Sequence, residues 1–292
     1  MNRQISAERN RTPNLTFLKE GTIMTRTFKL LTVAVLFGVL AMSVVGPQPG
    51  QAAAEITGRQ VAENVDTAPT PDDGTNRMAM TLVNDQGKTL ERTLQVWKQG
   101  REKSAMVFLG PDDVRGTGFL TIDREDQDTD DMWLYLPDLD MTKRIDSEQK
   151  HQSFMGSDFT YDDMGDREID DYAWTLLGEE TYDGHHVYVV EGQAKAPRDA
   201  GYSKLVSWVR DDVWKNVKTE YYDLNGELRK IQTNSNIEEI GGYWTITHLE
   251  MTNVQTDHET TLELTDIQVN PGLPDAVFTA EELPNLLERA ED

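Results

Sequence analysis

Short apolar runs that alternate with polar residues recur along most of this chain, separated by turn residues, and they constrain its fold more than any other feature. Successive side chains of a strand point to opposite faces, so period-two patterning marks half-buried β-structure. Eleven runs stand out: Met78–Val83, Thr89–Trp97, Lys103–Leu109, Gly116–Ile122, Met132–Leu136, His186–Val190, Lys204–Val209, Val217–Tyr222, Leu228–Thr233, Tyr243–Met251 and Thr260–Val269. Several joins carry turn chemistry, at Asn84-Asp85-Gln86-Gly87, Lys98-Gln99-Gly100, Tyr182-Asp183-Gly184, Asp223-Leu224-Asn225-Gly226 and Gly241-Gly242. Gly and Asn accept positive φ at such places. The pattern predicts a mainly β protein of about eleven antiparallel strands. It contains no βαβ spacing and no Gly-rich phosphate loop, which excludes Rossmann and P-loop nucleotide-binding folds.

The first 54 residues read differently. The apolar stretch Leu30–Val45 follows Arg26 and Lys29 and is closed by Gly46, Pro47, Pro49 and the small residues Gly50-Gln51-Ala52-Ala53-Ala54. This is the pattern of a secretory signal peptide. Its 16 residues fall short of the roughly 20 that span a bilayer comfortably, so cleavage near Ala54 is expected. An uncleaved inner-membrane anchor is the alternative. Residues 1–23 are polar and precede the basic region, which makes Met24 the expected start. Export would place residues 55–292, as one domain, in the periplasm of a Gram-negative envelope, away from ATP, NAD and a reducing pool. The absence of cysteine excludes disulfides, thiolate metal sites and a lipidated N-terminal Cys.

The whole chain carries a formal charge of −24, and residues 1–54 hold six Lys or Arg against two Asp or Glu, leaving −28 on the rest. A field of that sign repels nucleic acid and anionic membrane surfaces. Helix signals are few. Ala54–Val65 forms one amphipathic candidate through Ile56, Val61 and Val65, and Phe278–Leu283 reads as a capped turn with Thr279 as N-cap and Glu282 completing a capping box.

No residue constellation points to catalysis or a metal. His185 and His186 fall on opposite faces of a strand, so they do not converge on one ion. The acidic run Asp123, Glu125, Asp126, Asp128, Asp130 and Asp131 lacks the central Gly and terminal Glu of a calcium loop and reads as a solvated hairpin turn. Glu179, Glu180 and Asp183 are close in sequence, but 52 acidic residues make such coincidences ordinary. No Ser, His and Asp set carries a recognisable hydrolase motif.

The informative residues are apolar. Met78, Met80, Met106, Met132, Met141, Met155, Met164 and Met251 accompany Trp97, Trp133, Trp174, Trp208, Trp214 and Trp244. Methionine adapts to irregular or variable apolar partners, which suits either a cavity or an ordinary core. A many-stranded sheet with so little helix must bury one face by sandwiching, by closing, or against a ligand.

Several strings resemble a known family. They are Arg115-Gly116-Thr117-Gly118-Phe119-Leu120, Trp133-Leu134-Tyr135-Leu136-Pro137-Asp138-Leu139, Lys143-Arg144-Ile145, the segment from Ser153 to Met164, and Phe278-Thr279. Together they resemble the outer membrane lipoprotein-sorting proteins, related to the periplasmic carrier LolA and its receptor LolB, over residues 55 to 285. The resemblance implies an open, incomplete antiparallel β-barrel with a helical lid over an apolar concavity that holds acyl chains of lipids or lipoproteins. It implies no catalysis and no cofactor. On this reading Ser153–Gly165 is a flap. Trp133, Tyr135, Phe154, Met155, Phe159, Tyr161 and Met164 form the lid and its contacts, and Met106, Phe108 and Phe119 line the sheet. The expected role is that of a carrier or chaperone in lipoprotein sorting and outer membrane biogenesis. Some relatives are linked to lipid-exporting transporters of the resistance-nodulation-division (RND) type. The partners implied are therefore an inner-membrane RND-type transporter and an outer-membrane acceptor, and the alternative role is an envelope sensor or transporter accessory subunit. An enzyme acting on glycans or lipids is the third possibility, and it would need a wet cleft with paired carboxylates.

Overall fold

The alternation seen in the sequence becomes one sheet. In the computed structural model, which describes residues 55–124, 130–196 and 200–292, the strands are β1 (Asp73–Val83), β2 (Thr89–Gln99), β3 (Lys103–Gly110), β4 (Gly118–Ile122), β5 (Asp131–Leu136), β6 (Met141–Ile145), β7 (Tyr172–Tyr182), β8 (His185–Ala194), β9 (Lys204–Arg210), β10 (Lys215–Tyr222), β11 (Leu228–Ile240), β12 (Tyr243–Asn253) and β13 (His258–Val269). They pair in the order β6-β5-β4-β3-β2-β1-β13-β12-β11-β10-β9-β8-β7. The chain therefore runs outward from β1 to the edge at β6, crosses to the other edge at β7, and returns inward until β13 pairs with β1. Every pairing is antiparallel, and β6 and β7 do not pair, so the sheet is open.

Thirteen strands replace the expected eleven. The two additional strands, β6 and β7, are the two edges. An edge strand has one partner and buries less surface, so its apolar alternation is weaker. In β6 only Ile145 is buried and Met141 to Arg144 are exposed.

The sheet has two covered faces. On the inner face Met78, Met80, Leu94, Val96, Met106, Phe108, Phe119, Met132, Met251 and Leu262 belong to one core cluster. On the outer face Trp97, Ala105, Val107, Leu120 and Tyr135 pack beneath Val277, Phe278, Leu283 and Leu286 of the C-terminal segment. A helix α1 (Gly58–Asp66) lies on the inner side against β7 to β9, with Val61 packed on Val190 and Val209. Its start is set by a capping box: Gln60 N–H donates to Thr57 Oγ1 at 3.2 Å, and Thr57 N–H donates to Gln60 Oε1 at 2.9 Å. Residue 58 must be glycine because a Cβ there would sit 2.4 Å from the Thr175 carbonyl carbon of β7.

The C-terminal expectation needs correction. Thr279 does open a turn, Glu282 N–H donating to Thr279 O at 3.2 Å, but the capping box is absent, because the Thr279 hydroxyl donates to Ala276 O at 3.2 Å. The final helix α2 (Leu286–Glu291) begins later. Glu282 closes onto Arg289, accepting from Nε at 3.1 Å, because the outer-face cluster recruits Leu283 and Leu286 instead of a helix starting at 279.

The sheet is curled. In a flat sheet, six strand spacings would hold inward side chains of β4 and β11 about 29 Å apart. Yet Phe119 of β4 lies 5.6 Å from Tyr161 between ring centres, and Lys230 Nζ of β11 lies 3.3 Å from Asp163 Oδ2, two residues further along. The sheet wraps around the segment that carries these two residues.

Candidate functional site

The wrapped segment is the crossing between the two edges. Ser153 and Thr160 form an isolated antiparallel bridge. Phe154 N–H donates to Phe159 O at 2.7 Å, and Ser157 N–H donates to Phe154 O at 2.9 Å. Met155 and Gly156 turn the chain with φ of 50° and 79°. These bonds make a compact hairpin-like plug. Phe154 is fully buried, its ring 5.1 Å from Phe119, 5.5 Å from Tyr161 and 6.1 Å from Phe108. Arg92, 9% exposed on β2, donates to the carbonyl of Met155 and lies 5.8 Å above the Phe108 ring.

Polar groups tether both ends of the plug. Asp158 N–H donates to Thr260 Oγ1 at 3.0 Å. The same hydroxyl donates to Asp158 Oδ2 at 2.7 Å, and His258 Nδ1 lies 2.9 Å from that oxygen. Asp163 and Lys230 side chains, each 2% exposed, form a buried ion pair. Tyr202 OH donates to Asp163 Oδ2 at 3.0 Å, Thr160 N–H donates to the same oxygen at 2.8 Å, and Arg167 pairs with Oδ1. Burial pushes the Asp163 carboxyl upward, but Lys230, Arg167 and the Thr160 bonds outweigh it and hold the pKa at about 2. A buried pair of this kind enforces one arrangement of the plug more than it adds net stability.

Beyond the plug the inner face is hollow. Residues opposed across a register share a face, so the lining can be followed strand by strand. One row reads Phe108, Leu94, Met78, Leu264, and the next reads Phe119, Met106, Val96, Asn76. The row after that reads Thr121, Ser104, Lys98, Gly74, Val269. Large apolar groups have given way to small, polar and cationic ones. A cavity of about 370 Å³ opens there, bordered also by Ile267, Met164, Lys215, Arg101 and the half-exposed Trp244. Lys98 is reached by solvent through this space yet is ringed by protein. Burial, with Arg101 adding and Asp166 opposing, places its pKa below the ordinary lysine range. Lys215 is lowered by burial and by Arg101 and Lys98.

Set beside the expected site residues, the structure brings Met106, Phe108, Phe119, Phe154, Phe159 and Tyr161 into one buried cluster, with Met155 and Met164 packed against it. Trp133 and Tyr135 do not join them. They alternate with Met132 and Leu134 along β5 and face outward, under the C-terminal segment, because a strand cannot present consecutive residues to one face. The expected flap is a plug whose aromatic rings occupy the space between the strands. The sequence reading missed Lys98, although its place two residues beyond Val96 continues the inward series of β2. It also missed the Asp163, Lys230, Tyr202 and Arg167 set, whose members lie far apart in the chain. His186 meets Glu179 and Asp211, and among the described residues no group of three His, Asp or Glu is placed to hold a metal. Part of the acidic run, residues 125–129, and residues 1–54, where a signal peptide is expected, lie outside the described residues.

A family model described only as an uncharacterized protein matches residues 100–285. No curated protein matches the chain. Among solved structures, an outer membrane lipoprotein-sorting protein domain from Vibrio parahaemolyticus is 32% identical, with a TM-score of 0.74 over 78% of this chain and 98% of that one. A DUF1329 family protein from Desulfovibrio piger is also 32% identical, with a TM-score of 0.74 over 77% of this chain and 97% of that one. A LolA superfamily protein from Nitrosomonas europaea, 23% identical, shares the fold with a TM-score of 0.62 over 77% of this chain and 98% of that one. On this identity and coverage, the chain belongs to the family of outer membrane lipoprotein-sorting proteins, with the LolA-like fold.

Proposed function

We propose that the protein is a periplasmic carrier that binds acyl chains of lipids or lipoproteins on the inner face of the open sheet and moves them between envelope membranes without catalysing a reaction. The observation that carries this reading is the plug. An extensive apolar face is covered by a non-strand hairpin that joins the two unpaired edges, beside an open cavity of about 370 Å³. That volume lies within the range of small-molecule sites, roughly 300 to 1,000 Å³. The signal-peptide pattern read in residues 24–54 and the relatives' lipoprotein-sorting description support the same reading.

Apolar surface covered by an acyl chain yields roughly 25 cal/mol per Å². Exported proteins act without ATP, so transfer runs down a gradient of affinity from donor to carrier to acceptor. The plug competes with cargo for the same surface and makes release reversible. The test begins with protein purified from the native envelope, whose bound lipids are identified by mass spectrometry. A fluorescent fatty-acyl probe is then titrated into delipidated protein. The chain has no cysteine, so the pair Asp158→Cys and Thr260→Cys gives a single disulfide that locks the plug to β13. Lipid recovery and saturable probe binding are expected, with uptake suppressed in the oxidised lock and restored on reduction. Protein that neither carries acyl lipid nor binds the probe overturns the carrier reading.

A further inference from the structure

The hollow end of the inner face holds cations that the fold does not use. Lys98 and Lys215 make no side-chain hydrogen bond, ion pair or ring contact among the described residues. Both border the cavity with Arg101, whose guanidinium donates to Val65 O at 3.0 Å and is thereby held at the rim. The three lie close enough for Arg101 to act on both lysines and for Lys98 to act on Lys215, although Asp166 acts on Lys98 more strongly than Arg101 does and with the opposite sign; Lys103 also lines the space but donates to Gln99 Oε1 at 2.7 Å. Clustering like charges costs free energy, and here it occurs in a chain with 52 acidic residues against 28 Lys and Arg. Asp73, Glu102, Asp123 and Asp166 also border the space. Asp73 is engaged by backbone N–H groups of Gly272 at 3.1 Å and Leu273 at 2.6 Å.

A second observation is independent of charge. Among the cavity residues, Thr121 is 5% exposed and its Oγ1, which can donate to an anion, has no hydrogen-bond partner; Asn76 Oδ1 is also unpaired but, as an acceptor, calls for a donor rather than an oxyanion. Buried polar atoms without partners are rare and call for an explanation such as a missing ligand or water. A third feature concerns the walls. Leu264, Ile267 and Val269 lead from the cationic rim toward the plug, and Met164 joins the two regions. One end of the space suits an oxyanion and the other suits a hydrocarbon chain.

We infer that this cavity is a head-group site for an anionic lipid, whose carboxylate or phosphate sits among Lys98, Arg101 and Lys215 while its acyl chain runs over Ile267, Val269 and Leu264 toward the plug. The inference rests on the carrier reading and specifies its cargo class. It also explains how a strongly acidic protein selects an acidic lipid: the anion meets local cations, and Thr121 gains an acceptor.

The test compares a fluorescent long-chain fatty acid with the fatty alcohol of the same length, using the intact protein and the Lys98→Met, Lys215→Met double variant. Loss of charge-assisted bonds is expected to weaken fatty-acid binding about tenfold or more. Alcohol binding should be unchanged, and the acid-to-alcohol preference of the intact protein should disappear. Lys98→Arg should retain that preference. Thermal melting of each variant establishes that it is folded, which is expected because neither lysine supports another group. If the folded double variant keeps the same preference as the intact protein, the head-group site is overturned while the carrier reading stands. If neither probe binds the intact protein, both fall. Competition by acetate or inorganic phosphate as strong as that by the fatty acid overturns the lipid assignment in favour of a simple anion site.

Discussion

The two ends of the inner face are built on the same strands and do opposite things. On β3, Phe108 and Met106 pack beneath the plug, and Ser104, two residues on, borders open space. On β2 the series Leu94, Val96, Lys98 makes the same change, as does Phe119 to Thr121 on β4. Strand pairing is indifferent to the change because backbone bonds form whatever the side chain. Filling is decided by side-chain volume and polarity. The sheet therefore continues unbroken from core to cavity, with one register shift between Thr75 and Arg77 of β1 where the filling changes. On the proposed carrier reading the cavity admits the cargo, and the plug over the core is the part that yields as the acyl chain advances.

The division can be attacked first at the plug. Asp163→Ala leaves Lys230 buried without its carboxylate and should destabilise the protein by about 3 to 5 kcal/mol, read from the urea midpoint. Phe154→Ala empties a fully buried aromatic site and should cost a similar amount, about 3 to 5 kcal/mol. A loss under about 1 kcal/mol for either would mean that the plug is a loosely held flap and that the two ends differ less than described.

The contrast within β3 is sharper. Met106→Ala should cost about 2 to 5 kcal/mol, whereas Ser104→Ala should stay within about 0.5 kcal/mol of the parent. Equal losses at these two positions would show that the hollow end is packed in solution.

Acidity offers a subtler test, since two carboxylates near the plug shift in opposite directions. Asp163 is held at about 2, so the stability it contributes is complete above the ordinary aspartate pKa and is lost as pH falls through about 2. Asp130 is raised to about 7, chiefly by burial, with Lys150 opposing and Asp123, Asp162 and Asp166 adding. Its contribution is complete below the ordinary value and disappears as pH rises through about 7. Lowering the pH from 8 to about 4 should therefore raise the melting temperature, and Asp130→Asn should reduce that rise. A rise of equal size in Asp130→Asn would assign it to the chain's general negative charge instead.

Legibility followed burial. Ten of the eleven runs read as strands lie within strands of the structure and the other, Gly116–Ile122, overruns its strand by two residues, because each buries one face and period two is the direct imprint of that burial. The edges β6 and β7 were illegible for the same reason, having less to bury. The aromatics of Ser153–Gly165 were visible as an interruption of strand periodicity and as the most specific string of the family resemblance. Their packing as a filled plug was not visible. Trp133 and Tyr135 were grouped with those aromatics by proximity in sequence, although strand alternation sends them to the outer face.

The sequence by itself determined the class of fold, antiparallel and mainly β, and with the family resemblance it led to an open sheet. These follow from local periodicity, turn residues and recognisable strings. Tertiary structure alone decided what meets across the curl: Asp163 with Lys230, Asp158 with Thr260, and Lys98 with Lys215. Asp158 and Thr260 are 102 positions apart and Asp163 and Lys230 are 67 apart. Their contacts depend on how far thirteen twisted strands close on one another, a cumulative property to which each strand adds a little and which no single segment encodes.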